Sequence, residues 1–293
     1  MSEKQDQVGK VYVVTGANSG IGFIAARNFA SRGAEVVLVC RNADRAEAAL
    51  NAIRRDYPSA KVKSYIADFS LLASVAKLAA QLRADYPVID VLCNNAGGAN
   101  GSREVTSEGF EKTFVTNHLS GFLLTQELLP AILCAGEKGL ARVVFTSSLG
   151  HKNSPIDFDD LNLTQNYSTL KAYGRSKLMN LLTAKEVFSR YGANGLVSSS
   201  FHPGAVRTPI WGKGGMAARL IGIVMYPFMV NLEQGTDTFI WLASSDEAGS
   251  VQANGNYFFE RKQVSIAPFA TADAAATLWA TSMDLIAPYR LQP

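Results

Sequence analysis

The sequence is poor in cysteine and histidine, and its charge is nearly balanced. Three cysteines, Cys40, Cys93 and Cys134, stand far apart in 293 residues. None belongs to a CxxC pair, so neither a disulfide framework nor a zinc site is expected. Each lies in an apolar run and reads as a small buried hydrophobe. Free thiols suit a reducing compartment, and a cytoplasmic location is expected. His118, His151 and His202 are dispersed and form no metal-ligand set. Net charge is only +3, and Lys and Arg form no block or stripe, which argues against a nucleic-acid partner. Residues 1–10 are polar and lack the apolar segment of a secretory signal. No apolar run reaches the roughly 18 residues of a membrane span, so no stable membrane anchor is expected. The nearest run, 220–230, is interrupted by Pro227.

What is present is an ordinary globular composition, 47% hydrophobic. Strand-like and helix-like stretches alternate. Strands are expected at 10–15, 35–40, 61–67, 88–93, 142–147 and 196–201. Helices are expected at 21–32, 43–57, 71–86, 107–134, 169–191 and 270–285. The strands are near-continuous apolar runs, as strands covered on both faces should be. The pattern predicts an α/β fold, a single doubly wound Rossmann-type domain with helices on both faces of a parallel sheet. The domain spans 1–293, with a polar tail at 1–9. Such sheets bind ligands beyond the carboxyl ends of their strands.

The residues with chemical potential fall at those ends. After the first strand comes Thr15-Gly16-Ala17-Asn18-Ser19-Gly20-Ile21-Gly22. Three glycines allow a sharp turn and close backbone approach to a pyrophosphate. The following helix supplies unpaired N–H groups and a partial positive charge.

This Thr-Gly-x-x-x-Gly-Ile-Gly segment resembles the nucleotide signature of the short-chain dehydrogenases/reductases. Asn94-Asn95-Ala96-Gly97 is similar to that family's second signature, Tyr173-Gly-Arg-Ser-Lys177 to its catalytic motif, and Pro203-Gly204 to its nicotinamide-side turn. Residues 39–42, 116–122 and 146–148 resemble the retinol-dehydrogenase-like carbonyl reductases. The resemblance implies an NADP(H)-dependent oxidoreductase acting on a hydrophobic carbonyl or alcohol, a small-molecule substrate. It implies cofactor contacts at Gly16, Asn18, Ser19, Gly20, Ile21, Gly22, Arg41, Asn42, Asp68, Phe69, Asn95, Ala96, Gly97, Tyr173, Lys177, Pro203, Gly204, Val206 and Thr208.

Several of these positions carry a second reading. Cys40 stands where NAD enzymes commonly place a carboxylate, and Arg41 follows it. A guanidinium would bind a ribose 2′-phosphate in a charge-assisted fork, so NADPH is expected over NADH. The other reading of Arg41 is a solvated strand-end cation. Asp68 reads either as a contact to adenine or as the cap of the helix that follows. Asn94 and Asn95 read either as ribose-side residues or as turn formers. Thr208 reads as a carboxamide partner or as a cap before Pro209.

Hydride addition to a carbonyl builds negative charge on its oxygen, so the site must supply a proton and a hydrogen-bond donor. Tyr173 and Lys177 lie four apart on a predicted helix and share a face. A cation about 4 Å from the phenol, at an effective dielectric near 20, contributes roughly 4 kcal/mol. That would lower the phenol's pKa by up to about three units. The catalytic set implied is Asn117, Ser148, Tyr173 and Lys177, with no metal. Ser147 is a rival to Ser148. By resemblance Asn117 holds a water beside Lys177; its other reading is a helix-face polar residue.

Residues 205–230 are expected to form a lid, with Gly212, Gly214 and Gly215 as hinge. Its apolar side chains include Trp211, Met216, Leu220 and Phe228. A core helix and a transient lipid contact are the other readings of this stretch. The helices at 117–134 and 169–191 commonly make the dimer face in this family, so a homodimer is conceivable. The C-terminal helix closes the pocket or meets a partner. A catalytically idle NADP-binding sensor is the competing reading for the whole chain. The Ser148, Tyr173 and Lys177 set argues against it, because a binding protein has no need of that trio.

Overall fold

The computed structural model describes residues 5–204, 231–247 and 254–292. The strands are β1 (Val11–Thr15), β2 (Glu35–Cys40), β3 (Val62–Ile66), β4 (Val91–Asn94), β5 (Ala141–Thr146), β6 (Leu196–Phe201), β7 (Tyr257–Phe259) and β8 (Lys262–Gln263). The longer helices are α1 (Gly20–Ser31), α2 (Ala43–Asp56), α3 (Leu72–Asp85), α4 (Lys112–Gly136), α5 (Thr169–Tyr191), α6 (Leu232–Ser244) and α7 (Ala272–Ile286). One eight-stranded sheet has the order β3-β2-β1-β4-β5-β6-β7-β8. Seven strands run parallel, and β8 turns back antiparallel on β7. The order reverses between β1 and β4, which opens the crevice expected of a doubly wound sheet.

Side-chain alternation along the strands divides the core in two. Val13, Val37, Leu92, Val143 and Phe145 pack on the α3–α4–α5–α7 side. Tyr12, Val36, Leu38, Cys93 and Val144 pack on the α1–α2–α6 side. Both faces are therefore covered along the central strands, where β1, β2, β4 and β5 are mostly apolar, whereas β3 carries Lys63 and Ser64 and β6 three serines.

The structure amends several expectations. Helix α4 is long and apolar enough to cross a membrane by length and composition, although no continuous apolar run signals it. In the fold, 72% of that window is buried, so it serves as a core helix. Its one buried carboxylate, Glu127, is paired with Arg290 at 3.0 Å and Arg83 at 3.6 Å. The polar N-terminal tail is docked where it is described. Arg32 binds Asp6 at 2.7 Å, and Tyr12 donates to the buried Gln7 at 2.5 Å. Asp68 does not cap α3. Glu108, far along the chain, accepts from the N–H groups of Leu72 and Ala73 at 2.6 and 3.0 Å. Cys40 and Cys93 are buried free thiols, and burial pushes Cys40 up to about 11.

Candidate functional site

The glycine turn between β1 and α1 has the backbone its sequence requires. Gly16 and Gly20 lie in the left-handed region, with φ of 68° and 59°. A Cβ on Gly22 would stand 2.5 Å from both Asn95 Nδ2 and the Gly16 carbonyl oxygen. Ser19 is the extended N-cap of α1, but its side chain makes no capping bond. The opening N–H groups of α1 are thus left uncapped by Ser19, as an anion site needs. Asn18 and Ile21 are half-buried beside it, and Ser19 is exposed.

Asn95 holds this turn against the neighbouring strands. Its amide donates to the Thr15 carbonyl at 2.9 Å and accepts from Thr146 Oγ1 at 3.3 Å. Thr15 Oγ1 in turn accepts from the N–H groups of Asn95 and Ala96, each at 2.9 Å. Asn95 is therefore a structural tie as well as a lining residue. Gly97 is tightly placed, because an added Cβ would lie 3.0 Å from Asn117 Oδ1 and 3.3 Å from Lys177 Nζ. The crevice fits an anionic dinucleotide: backbone approaches without side chains, a helix start lies open, and the walls are polar.

At the end of β2, Arg41 is exposed and Asn42 caps α2, accepting from the Arg45 N–H at 2.9 Å. The Asn42 amide oxygen is thus committed to the helix. Asp68 is half-buried, and its Oδ1 accepts from the N–H and hydroxyl of Ser70 at 2.9 and 2.8 Å. The Phe69 ring lies in the core, and its carbonyl accepts from Ser120 at 2.7 Å.

Four expected residues converge past β4 and β5. Ser148 and Tyr173 meet beside Gly150, where an added Cβ would lie 3.7 Å from Ser148 Oγ and 3.8 Å from Tyr173 Cδ1. Ser147 is ruled out as the inward-facing serine, because its hydroxyl donates to the Lys177 carbonyl at 2.7 Å. Lys177 Nζ lies 5.4 Å from the Tyr173 ring centroid and donates to the Thr146 carbonyl at 3.1 Å. Asn117 sits in a π turn, Val115–Leu119, inside α4. Its amide exchanges bonds with Gly98, donating at 2.9 Å and accepting at 2.8 Å, and also donates to Ser176 Oγ at 2.9 Å. Ser176 passes the link to the Tyr173 carbonyl at 2.7 Å. Asn117 is thus neither a plain helix-face polar residue nor bonded within its own helix.

The electrostatics differ from the expected lowering of the phenol's pKa. Burial raises the Tyr173 phenol, and the Ser148 hydrogen bond opposes that rise. Burial also pulls Lys177 down to about 8. The physical reason is geometric. The ammonium lies near the ring and is bonded to Thr146, so desolvation of the phenolate outweighs its attraction.

Sequence reading missed Ser176, Gly174 and Arg175. Gly174 is in contact with the loop that carries Ser148: an added Cβ would meet Ser154 Oγ and, at 2.5 Å, the Gly150 carbonyl oxygen. Arg175 is fully buried and donates to the carbonyls of Asp160 and Leu161. It anchors the long connection between β5 and α5. No periodic signal marks these three, only their place within the Tyr-to-Lys interval.

Beyond β6, Gly204 has φ 79° and donates its N–H to His202 Nδ1 at 3.0 Å. The His202 ring stacks on Phe259 at 4.1 Å. A cavity of about 310 Å³ opens here, lined by His202, Pro203, Gln234, Thr238, Phe259 and Arg261 among others. Val206, Thr208 and the expected lid, 205–230, lie outside the described residues. Burial lowers His202 to about 4 and His118 to about 3, from an ordinary 6.5. Both are neutral in the fold, and His202 must keep its Nδ1 lone pair for Gly204. A depressed folded pKa stabilises above the unfolded value and is lost as pH falls. Melting followed by circular dichroism should show Tm dropping by at least several degrees between pH 6.5 and 4.

A family model described as short chain dehydrogenase matches residues 10–215. The chain belongs to the short-chain dehydrogenase family. It is 40% identical over 276 residues to a Streptomyces sp. (strain C5) protein named "putative daunorubicin C-13 ketoreductase", covering 94% of this chain and 91% of that one. It is 35% identical to human retinol dehydrogenase 13, covering 95% and 85% of the two chains. A crystal structure of an uncharacterized Mycobacterium paratuberculosis protein superposes with a TM-score of 0.75 at 31% identity, covering 95% and 93%. This short-chain dehydrogenase is therefore an oxidoreductase of a nicotinamide-dependent family, of the retinol-dehydrogenase-like kind.

Proposed function

We propose that the chain is an NADPH-dependent carbonyl reductase, reversible as an alcohol dehydrogenase, with a hydrophobic ketone or aldehyde as substrate. The observation that carries this reading is the meeting of Ser148, Tyr173 and Lys177 beyond the carboxyl end of β5. Bound NADPH would supply the hydride. The glycine turn and the start of α1 would hold its pyrophosphate, Arg41 its 2′-phosphate, and Pro203-Gly204 the nicotinamide side. Ser148 would donate a hydrogen bond to the substrate oxygen. Tyr173 would transfer its phenolic proton to that oxygen as negative charge develops. Burial raises the phenol, which keeps the proton in place until then and suits reduction. Lys177 supplies positive potential to the phenolate that remains.

The apolar character of the substrate rests on two exposed leucines close in sequence to the site residues. Leu149, next to Ser148, is 52% exposed, and Leu170, one turn before Tyr173, is 76% exposed. Exposed leucines so near Ser148 and Tyr173 in the chain offer surface that an apolar molecule would cover. A panel of aldehydes and ketones followed at the nicotinamide absorbance tests the reading. Oxidation of NADPH with at least one apolar carbonyl is expected. A protein that binds NADPH but turns over none of the panel would instead be a sensor. Arg41→Ala should cut the NADPH-over-NADH ratio of kcat/KM roughly ten- to hundredfold, the loss of one charge-assisted contact. An unchanged ratio would remove Arg41 from the cofactor site.

A further inference from the structure

A buried polar chain runs from Lys177 to the C-terminal helix. The Thr146 carbonyl accepts two bonds, from Lys177 Nζ and from Asn180 Nδ2, each at 3.1 Å. Asn180 also faces His118, and its contribution opposes the burial-driven fall of the imidazole's pKa. On its other side, His118 Nε2 meets Ser282 Oγ of α7 at 3.0 Å. All of these side chains are buried. Phe114 and Phe122 flank the imidazole, each at 5.9 Å, and Trp279 of α7 packs edge-on against Phe122 at 5.0 Å.

The Thr146 carbonyl, which can only accept, sets the bond directions along this chain. Asn180 spends its amino group on Thr146, so its amide oxygen is left for His118. Burial keeps His118 neutral, with one N–H to give. With that N–H given to Asn180, Nε2 becomes an acceptor, and Ser282 must donate to it. Reversing the Asn180 amide would set two acceptors against each other at Thr146, whichever tautomer His118 adopts. The chain therefore has one satisfied arrangement. The π turn of α4 serves both systems, since Asn117 reaches the Tyr173 side and His118 the α7 side.

We propose that Asn180 is a positioning residue for Lys177, oriented through His118 by Ser282 of the C-terminal helix. Asn180 fills one acceptor site of the Thr146 carbonyl and leaves the ammonium a single seat. The proposal rests on the reading of Lys177 as the lysine of a carbonyl reductase. None of the three residues needs to touch substrate or cofactor. They act through the carbonyl that Lys177 shares.

Asn180→Asp tests this directly. The variant still accepts from His118 but cannot donate to Thr146. It also sets a carboxylate within about 6 Å of the ammonium, close enough to raise a lysine's pKa. Lys177 titration, followed by ¹³C NMR of its Cε in the full chain, should move up by about one unit or more from its starting value near 8. In NADPH-dependent reduction, kcat should fall roughly tenfold while KM for NADPH stays within about twofold. Asn180→Ser, which adds no charge, should show the kcat loss without the upward titration. Ser282→Ala should lower kcat in the same direction by about threefold, and it reads the chain even if neither Asn180 variant folds. A folded Asn180 variant with wild-type Lys177 titration and kcat overturns the proposal. So does a Ser282→Ala protein with unchanged kcat where no Asn180 variant folds. If the wild type reduces no carbonyl, the functional reading fails instead. Lys177 titration in Asn180→Asp and in Ser282→Ala then decides the positioning, with no movement in either refuting it.

Discussion

Tyr173→Phe is expected to lower carbonyl reduction by roughly 10²- to 10⁴-fold, the range assigned to a positioned general acid, while NADPH affinity changes little. The substitution removes one oxygen and keeps the ring against which Lys177 sits at 5.4 Å. The Thr146 seat of the ammonium and the glycine turn are untouched. The phenol's partner, Ser148, remains to orient a carbonyl but has no proton of comparable acidity to give. The loss should therefore appear in kcat, not in the cofactor's dissociation constant. Steady-state assays and fluorescence titration with NADPH separate the two. Retained turnover would exclude Tyr173 as the acid.

Gly174→Ala should have a comparable effect by a different route. The new methyl would stand 2.5 Å from the Gly150 carbonyl oxygen and 2.9 Å from Ser154 Cβ. Gly150 belongs to the short helical turn Leu149–Asn153, whose N-cap is Ser148. Backbone cannot yield as a flexible side chain does, so the turn must move off α5. A displacement near 1 Å at a reacting group costs on the order of 10²-fold in rate. Overpacking should also lower stability by about 1–3 kcal/mol. We expect kcat to fall about 10²-fold with NADPH binding retained, and Tm to drop measurably. A Gly174→Ala enzyme with normal kcat would show that the Ser148 turn is not held by this contact.

Much of the fold was legible because its sheet is buried on both faces. Residues 35–40 and 196–201 read as uninterrupted apolar or small runs, and the strands fall on them. Helix α5 begins at Thr169 after a Ser168 cap that accepts from the Lys171 N–H, and its bounds follow from that local signal. Strand β7 has three residues and β8 two, too short for any period to register. Helix α6 escaped notice although Asn231 and Gln234 form a reciprocal cap at its start. The glycine turn and the Tyr173-to-Lys177 spacing were visible because their residues are near neighbours in sequence. Glu108 over α3 and Ser282 against His118 were not, because pairings across 36 and 164 residues leave no trace in local spacing. The direction of the Tyr173 shift was misread for a related reason. Coulomb attraction can be estimated from an interval of four residues, whereas desolvation depends on everything packed around the group.

Helix α7 lies over the outer side of α5 and α4. Trp279 is only 7% exposed and packs on Phe122 and Tyr191, with the Arg190 guanidinium 4.5 Å from its ring. This is part of the ground on which the family resemblance would have two copies meet. A second copy pressing there encounters the chain's own last helix first. Prising that helix aside would separate Ser282 from His118, so on the positioning proposed above, self-association by that route and a well-seated lysine would compete with each other.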